Sequence, residues 1–301
     1  MKTVKKIWII IAVCLIIAGS VICVWSLNTI NFNFKNLVTE KIETNNHNII
    51  QDFSNIKIDV NTSDINFVHS QTDECMVTST ETQNIKHTIL VQNDTLLISV
   101  EDNRKWYEHI GIFGGNMSIT IYLPKQNYNT LNIESDTSDT NVSKGFNFST
   151  ALIETDTGDV EFLASVSCEL DISTDTGDIE IGNTNAKNII IETDTGETQL
   201  NNVNCDNLKF ESSTGDIYLI NTIVLQKILV CTDTGDIKFK NSDADNIMVK
   251  SSTGDVTGTL LTPKIFITNT DTGDINVPNT TTGGNCQITT STGDISLKIK
   301  K

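Results

Sequence analysis

Basic residues are scarce in this chain of 301 residues. Its 21 lysines and arginines stand against 38 aspartates and glutamates, which gives a formal net charge of −17 at pH 7. Proteins that bind nucleic acid usually carry a basic patch, so the composition argues against a nucleic-acid partner. The single arginine, Arg104, and all four histidines precede the main repeats, and no pairing of a nucleophile with a base stands out. The sequence therefore predicts a protein that is not an enzyme.

Cysteine lacks the spacing that would indicate a disulfide framework or a metal site. Five cysteines follow residue 27, which is an odd number, and no two of them form a Cys-x-x-Cys pair. Disulfide frameworks use even numbers, and zinc sites commonly use closely spaced pairs. We therefore expect neither, and interpret these cysteines as small residues that fill gaps in the core.

One long run lacks charge altogether. Residues 7–27 would reach roughly 30 Å as a helix at about 1.5 Å per residue, which is enough to cross a bilayer. The lysines before this run predict a cytoplasmic tail over residues 1–6 and an extracellular position for everything after residue 27. The chain is thus expected to be a single-pass protein of the cell membrane, with residues 7–27 as a transmembrane signal-anchor. A cleaved signal peptide is the alternative.

The second half of the chain repeats the tripeptide Thr-Gly-Asp, with one Thr-Gly-Glu variant. Its glycines lie 19 or 20 residues apart, at Gly158, Gly177, Gly196, Gly215, Gly235, Gly254, Gly273 and Gly293. A fixed period in this range is typical of a solenoid, in which each repeat forms one coil that rests on its neighbour.

Apolar residues within one repeat alternate on both sides of the glycine. If the glycine is position zero, they occupy −7 and −5, then +2 and +4, as in Ile189 and Ile191 or Ile217 and Leu219. Two strands with an inward apolar face are therefore predicted, with Thr or Ser at −3 and −1 on the same inward face. Glycine suits the turn between them because it adopts positive φ without steric cost. Equivalent residues would stack at about 4.8 Å in a right-handed or flattened β-helix.

The sequence divides into segments around this repeat. Residues 28–50 are polar and are expected to form a stalk. Residues 51–128 are expected to form a first coil, with Ser63 in the glycine place, and a cap of hairpins. Residues 129–301 form the solenoid repeats, which we expect to stack in chain order. Lysines 298, 300 and 301 would then protect the last edge, unless that end stacks on another molecule.

Two columns of acids follow from the stacking. Position +1 gives Asp159, Asp178, Glu197, Asp216, Asp236, Asp255, Asp274 and Asp294, and position −2 alternates acid with serine from Asp194 onward. One interpretation of the +1 column is a set of calcium ligands, because calcium prefers carboxylate oxygens. The alternative is that each aspartate accepts backbone N–H bonds within its own turn, so that the protein needs no cofactor.

Two further features suggest a partner surface. Position −6 should face outward, yet it is apolar on five coils, at Leu152, Ile190, Leu229, Met248 and Ile267. The segment 101–116 contributes three aromatic residues, Trp106, Tyr107 and Phe113. The alternatives are that a connecting segment covers the apolar stripe and that the aromatic residues plug the end of the core.

The IYLP run at 121–124, the strand pattern at 131–133 and the repeated Ser-Thr or Asp-Thr before Gly-Asp-Ile carry a resemblance. Over roughly residues 50–301, the chain resembles the bacterial β-strand-repeat family of unknown function known as putative adhesins. That family includes the G component of the Lia envelope-stress module of Gram-positive bacteria. The resemblance implies an all-β fold, namely a single-stranded right-handed β-helix of 19–20-residue coils after one N-terminal transmembrane helix. It supplies no catalytic residues.

These observations favour a membrane-anchored extracellular β-solenoid that acts as a non-enzymatic, adhesin-like binding module. Its partner would be an unknown protein or a cell-wall glycan. An accessory role in a cell-envelope stress or signalling system is the first alternative, and an enzyme that acts on surface glycans is the second.

Overall fold

The computed structural model describes residues 2–29, 41–104 and 117–300. Helix α1 spans Lys2–Thr29. Within it, Ile11–Thr29 is long and apolar enough to cross a membrane, and none of this stretch is buried within the protein. The chain therefore begins with one apolar helix that suits a membrane anchor or a signal peptide. All other regular elements in the described residues are β-strands, which confirms the all-β prediction.

Each coil contains one strand before the glycine turn and one strand after it. We call the sheet of preceding strands the leading sheet and the sheet of following strands the trailing sheet. The leading sheet contains β8 (Asn127–Thr137), β10 (Asn147–Thr157), β12 (Ser165–Thr176), β14 (Asn188–Thr195), β16 (Asn204–Thr214), β18 (Ile223–Thr234), β21 (Lys264–Thr272) and β23 (Gly284–Thr292). The trailing sheet contains β9 (Thr140–Val142), β11 (Val160–Phe162), β13 (Ile179–Gly182), β15 (Thr198–Asn201), β17 (Ile217–Ile220), β20 (Val256–Leu260), β22 (Ile275–Asn276) and β24 (Ile295–Ile299). Strand β19 (Ile237–Thr253) runs through both sheets.

Equivalent residues of neighbouring coils pair in parallel register, as the repeat predicts. Ile172 of β12 pairs with Ile191 of β14, and Ile191 pairs in turn with Phe210 of β16. These side chains are buried, and together with trailing-sheet residues such as Ile181 they form one continuous hydrophobic core. The period of 19–20 residues thus produces a β-solenoid, which confirms the predicted fold.

The glycine at each turn is held by two independent constraints. Gly177 has φ of +155° and Gly196 has φ of +153°, in the region that side chains rarely adopt. A Cβ atom on Gly196 would also lie 1.9 Å from the carbonyl oxygen of Gly177 in the neighbouring coil.

The turn also ends the pattern in which every second side chain of the leading strand faces the core. Thr174 at −3 is buried, whereas Thr176 at −1 is exposed, so the inward position predicted for −1 is wrong.

The first coil is stacked directly on the repeats. Strand β2 (Asn55–Val60) pairs with β8, and β3 (Ser63–His69) pairs with β9. Ser63 and Ser138 occupy the glycine place in these two coils, and neither has a positive φ. This explains why the degenerate copies tolerate a side chain there.

Five further strands cover the outer side of the first coil. They are β1 (Glu43–Ile49), β4 (Cys75–Glu81), β5 (Ile85–Gln92), β6 (Thr95–Asp102) and β7 (Met117–Leu123). Strand β6 pairs with β2 and, on its other side, with the antiparallel β5. Strand β7 pairs with β3 and with the antiparallel β4, which pairs in turn with the antiparallel β1. Strand β1 lies within residues 28–50, so the segment expected to be a stalk contributes an edge strand.

The last two coils are stacked out of chain order. Strand β23 pairs with β19 on one side and with β21 on the other, and β24 lies in the same way between β20 and β22. The final coil is thus inserted between its two predecessors. The expectation that all repeats stack in chain order is therefore wrong at this end. Lys298 lies in the inserted strand β24, but beyond Ser296, the last residue that β22 covers, so its outer side faces no described strand.

A buried ion pair fixes residues 261–264, the segment in which the chain passes the position of the inserted coil before β21 begins. Lys264 Nζ at the start of β21 lies 2.6 Å from Asp243 Oδ1, and both side chains are almost fully buried. Asp243 also accepts backbone hydrogen bonds from Ala244 at 2.8 Å, Leu261 at 3.0 Å and Thr262 at 2.5 Å. These contacts hold residues 261–264 against the neighbouring coil, so that β21 begins one coil further out.

Candidate functional site

The acid column at +1 links neighbouring coils through the backbone. Asp178 N donates a hydrogen bond to Asp159 Oδ1 at 2.8 Å, and Glu197 N donates to Asp178 Oδ1 at 2.7 Å. The same bond recurs further along, where Asp255 N donates to Asp236 Oδ1 at 3.0 Å. The column therefore bonds to backbone groups of the next coil, rather than within its own turn as the alternative interpretation proposed.

One lysine offsets the repulsion between acids in the middle of the column. Lys238 Nζ lies 3.5 Å from Asp236 Oδ2 and 3.7 Å from Asp216 Oδ2. The Tyr218 hydroxyl donates to Asp216 Oδ2 at 3.0 Å, and this bond raises the pKa of Tyr218. The backbone donors and this lysine together account for a column of acids that does not alternate with neutral residues.

Calcium binding by the +1 column stays a prediction. In the part of the chain that the structure describes, no three His, Cys, Asp or Glu side chains come together in a way that could hold a metal ion. One oxygen of most of these carboxylates already accepts a backbone hydrogen bond. A calcium ion would therefore have to bridge the remaining oxygens of neighbouring coils.

A groove with a volume of about 420 Å³ crosses four successive coils on the leading sheet. Strands β14, β16, β18 and β19 each contribute positions −4, −3 and −2. The lining residues are Glu192, Thr193, Asp194, Glu211, Ser212, Ser213, Cys231, Thr232, Asp233, Lys250, Ser251 and Ser252. The groove forms where the inward alternation ends, so acids, hydroxyl groups and one lysine line it in rows that repeat from coil to coil.

Serine hydroxyls separate the acids along the −2 column in the groove. Ser213 Oγ donates to Asp194 Oδ1 at 3.2 Å, and Ser252 Oγ donates to Asp233 Oδ1 at 3.5 Å. The predicted alternation therefore holds through these four coils. It ends at the inserted coil, because the register there brings Ser252 beside Ser291.

A bridging lysine sets the charge at the rim of the groove. Lys209 Nζ lies 3.0 Å from both Glu211 Oε2 and Glu192 Oε1, and these hydrogen bonds raise the pKa of Lys209. Asp171, on the same outer face, has a raised pKa because of partial burial and because of the negative charges of Glu192 and other nearby glutamates. The outer face is thus a mixed ionic surface in which acids predominate.

The predicted apolar stripe at −6 is not continuous. The pairing register places Asp171 between Leu152 and Ile190, and Lys209 between Ile190 and Leu229. Leu229 and Met248 are direct neighbours, but Gln287 then separates Met248 from Ile267. Ile267 lies on the outermost coil. The five residues therefore share a column without forming one exposed patch.

The aromatic residues Trp106, Tyr107 and Phe113 lie outside the described residues. Their role as a partner surface stays a prediction.

Asparagine forms a ladder at a second turn, which the sequence reasoning missed. Asn183, Asn202, Asn221 and Asn241 lie six residues after their glycines and all have positive φ, between +48° and +55°. Asn221 Nδ2 donates to Asn202 Oδ1 at 3.1 Å, and Asn241 Nδ2 donates to Asn221 Oδ1 at 3.3 Å. Their recurrence at +6 in the sequence could have revealed them, because asparagine tolerates positive φ better than other side chains do.

The N-terminal strands bring together Ser63, His87 and Glu81, which the sequence reasoning also missed. His87 Nε2 lies 3.2 Å from Ser63 Oγ, and His87 Nδ1 lies 3.6 Å from Glu81 Oε1. The serine, histidine and glutamate are arranged in the order of a catalytic triad, with a nucleophile, a base and an acid. All three residues are, however, buried. A substrate would not reach Ser63 in this arrangement, so the cluster serves to hold the strands together.

Comparison with known proteins places the chain in a family. The Toastrack DUF4097 family matches residues 53–257 and 202–301. No curated protein matches the chain. Among solved structures, a putative adhesin from Bacteroides fragilis is similar at 17% identity and a TM-score of 0.47, over 86% of this chain and 97% of that one.

Two further solved structures come from Parabacteroides distasonis. A putative lipid-binding protein is similar at 15% identity and a TM-score of 0.48, over 87% of this chain and 97% of that one. A putative adhesin is similar at 13% identity and a TM-score of 0.44, over 86% and 98% of the two chains. Because the family match covers most of the coils described above, the chain belongs to the Toastrack DUF4097 family.

Proposed function

We propose that this protein is a membrane-anchored extracellular β-solenoid that acts as a non-enzymatic, adhesin-like binding module. Helix α1 would be retained as a signal-anchor with its N-terminus inside the cell, because lysines precede it in the sequence. The binding surface would be the groove on β14, β16, β18 and β19.

The groove carries the proposal because its polar groups recur on four successive coils. Parallel pairing fixes equivalent residues at the usual strand spacing of about 4.8 Å, so the rows of carboxylates and hydroxyls are rigid and regular. A polymer with regularly spaced hydroxyl groups can donate hydrogen bonds to successive coils, and several weak contacts then add to one useful affinity.

The charge of the groove narrows the class of partner. Acids at Glu192, Asp194 and Asp233 would repel an anionic polymer, whereas they accept hydrogen bonds from neutral hydroxyl groups. We therefore propose an uncharged, hydroxyl-rich glycan of the cell wall as the partner.

The test is binding of the purified full-length protein, in detergent micelles, to isolated neutral wall polysaccharide. The triple variant Glu192→Gln, Asp194→Asn and Asp233→Asn should lower the affinity by about tenfold or more, because hydrogen bonds to charged groups contribute about 1.5–3 kcal/mol each. The groove would be excluded if the native protein and this variant bind equally.

A matched control uses the same columns outside the groove. Glu154→Gln, Asp156→Asn and Asp175→Asn change one residue at −4 and two at −2, as the groove variant does. This control should bind like the native protein. A loss of affinity in both variants would indicate a general effect of charge rather than a site.

A further inference from the structure

The inserted final coil leaves an unusual coil at the C-terminal end of the solenoid. Strand β21 pairs with β23 along one edge, and no described strand pairs with its other edge. Strand β22 has the same position in the trailing sheet, beside β24. The end of the solenoid therefore presents two strand edges with free backbone groups.

Core positions of this end coil are open to solvent. Ile275 at +2 is 46% exposed, whereas Val256 and Ile295, the equivalent residues of the two neighbouring coils, are fully buried. Phe266 at −7 is only partly buried. Ile267, on the outer face of β21, is 57% exposed. The end coil thus exposes apolar surface that every inner coil covers with a neighbour.

The exposed edge also lacks the usual protection. Natural edge strands carry charges, prolines or bulges that discourage pairing with another chain. Residues 265–270 read IFITNT, which is uncharged, free of proline and rich in β-forming residues. Lys298 of β24 supplies a charge in the trailing sheet, beyond the two residues that β22 covers, but the edge of β21 has no such charge between residues 265 and 270.

We propose that this end binds a second copy of the chain, with β21 pairing antiparallel to β21 of the other molecule. The opposite end of the solenoid finishes in strands β1 and β5, each of which also pairs on one side only. These two edge strands carry Glu43 and Lys86, and such charges discourage pairing with another chain, so head-to-tail stacking into filaments is disfavoured. Self-association through the uncharged edge of β21 is then tail-to-tail, which gives a closed two-fold dimer. If the pair is centred on Thr268, Asp271 faces Ile265 and no two acids face each other.

The test measures the mass of the full-length protein in detergent micelles by light scattering over a wide range of concentration. The native chain is expected to change from monomer to dimer as concentration rises, and Ile267→Lys should remain monomeric. Gln287→Lys is the matched control, because it adds the same charge to the same column on the inserted coil, where both strand edges are already paired. This variant should dimerise like the native chain.

Amide hydrogen exchange supplies a second readout that does not depend on a variant. The amides of β21 should exchange more slowly as the native protein becomes dimeric, whereas those of β14 should not change. A native chain that stays monomeric would overturn the proposal and leave the edge to a different partner strand. A dimer that survives Ile267→Lys, or growth into higher oligomers, would also overturn it.

Discussion

At the scale of single residues, the turn glycines set how closely two coils approach. The carbonyl oxygen of one turn occupies the space where the next coil's glycine would carry a Cβ atom. This close approach lets the backbone of neighbouring turns bond directly, as Gly196 N does to Thr214 O at 3.1 Å. A side chain at this position would separate the two coils along the whole turn.

Gly215→Ala is therefore expected to destabilise the protein by about 3 kcal/mol or more. The reasons are a φ of +144° and a Cβ atom 1.8 Å from the carbonyl oxygen of Gly196. Urea unfolding of the full-length protein measures the effect. Gly182→Ala is the control, since its Cβ atom would lie 2.8 Å from a methyl group of Leu163, which can move, and 3.9 Å from the nearest backbone atom, Asn201 O. Equal losses in the two variants would contradict this account.

The acid column makes a prediction about charge and hydrogen bonding. Asp178→Asn keeps an oxygen that can accept the N–H of Glu197 and removes one charge from the column, so its stability should equal or exceed the native value. Asp178→Ala removes the acceptor and should lower stability by about 0.5–1.5 kcal/mol. Thermal unfolding at low salt measures both. An Asn variant less stable than the Ala variant would show that the negative charge itself is required.

At the scale of elements, the N-terminal strands depend on a buried polar cluster. Burial alone would raise the pKa of Glu81, but hydrogen bonds from the backbone of His87 and from Ser79, Asn45 and Lys86 outweigh it and lower this pKa. Burial also lowers the pKa of His87, against the attraction of Glu81. Both residues therefore bind protons less readily in the folded protein than in the unfolded chain.

Acid should thus loosen these strands before it affects the repeats. Below about pH 6.5 the unfolded chain protonates its histidine while the folded protein does not, so stability falls as pH decreases. The contribution of Glu81 is present above its unfolded pKa and is lost at lower pH. Hydrogen exchange of β5 and β6 should accelerate between pH 7 and 5, relative to β14.

The variant His87→Gln isolates the effect of histidine protonation from that of Glu81. It should flatten the pH dependence of exchange in β5 and β6 between about pH 7 and 5, because the titrating group is gone. An unchanged pH dependence in this variant would assign the effect to other groups.

The crossover before β21 depends on a second buried polar cluster. Lys264→Met should destabilise the C-terminal coils by about 3–5 kcal/mol, because it leaves Asp243 charged and buried without its partner. Hydrogen exchange in β21 and β23 measures the loss locally. Lys240→Met, on an exposed side chain of the trailing sheet, is the control and should have little effect. Retained protection in the Lys264 variant would show that strand pairing alone holds the inserted coil.

At the scale of the whole molecule, charge is distributed along a stack of similar coils. In such a stack each coil contacts only its neighbours, so repulsion along the acid columns adds from coil to coil. The net charge of −17 makes this repulsion general. Added sodium chloride should therefore raise the unfolding temperature by screening the acids.

Measuring the unfolding temperature with added calcium or magnesium separates screening of the acid columns from specific calcium binding. Calcium should raise the unfolding temperature no more than magnesium does at equal ionic strength, if the columns act only through backbone hydrogen bonds. A clearly larger rise with calcium, reversed by a chelator, would instead establish the calcium ligands that the sequence predicts.

Much of this architecture is determined by the sequence alone. Three local patterns carry this information, namely the period of the glycines, the apolar alternation on both sides of them and the apolar run at 7–27. Each reflects the backbone geometry of a strand, a turn or a helix, which does not depend on contacts with distant residues. They are sufficient to predict the helix, the coil and the register in which Ile172 lies beside Ile191.

Only the tertiary structure decided the order of the coils and the surfaces that this order creates. The repeats are nearly alike, so almost any coil can stack on any other, and the alternation cannot specify which one does. The choice rests on contacts between coils, such as that of Lys264 with Asp243. In the same way, Ser63, Glu81 and His87 meet only because the fold brings three successive strands together. The open end at β21 follows from that order, so the sequence could place the last edge only at residues 298–301. The groove follows from where the inward alternation stops in the folded coil, which the sequence placed after position −1 instead of after −3.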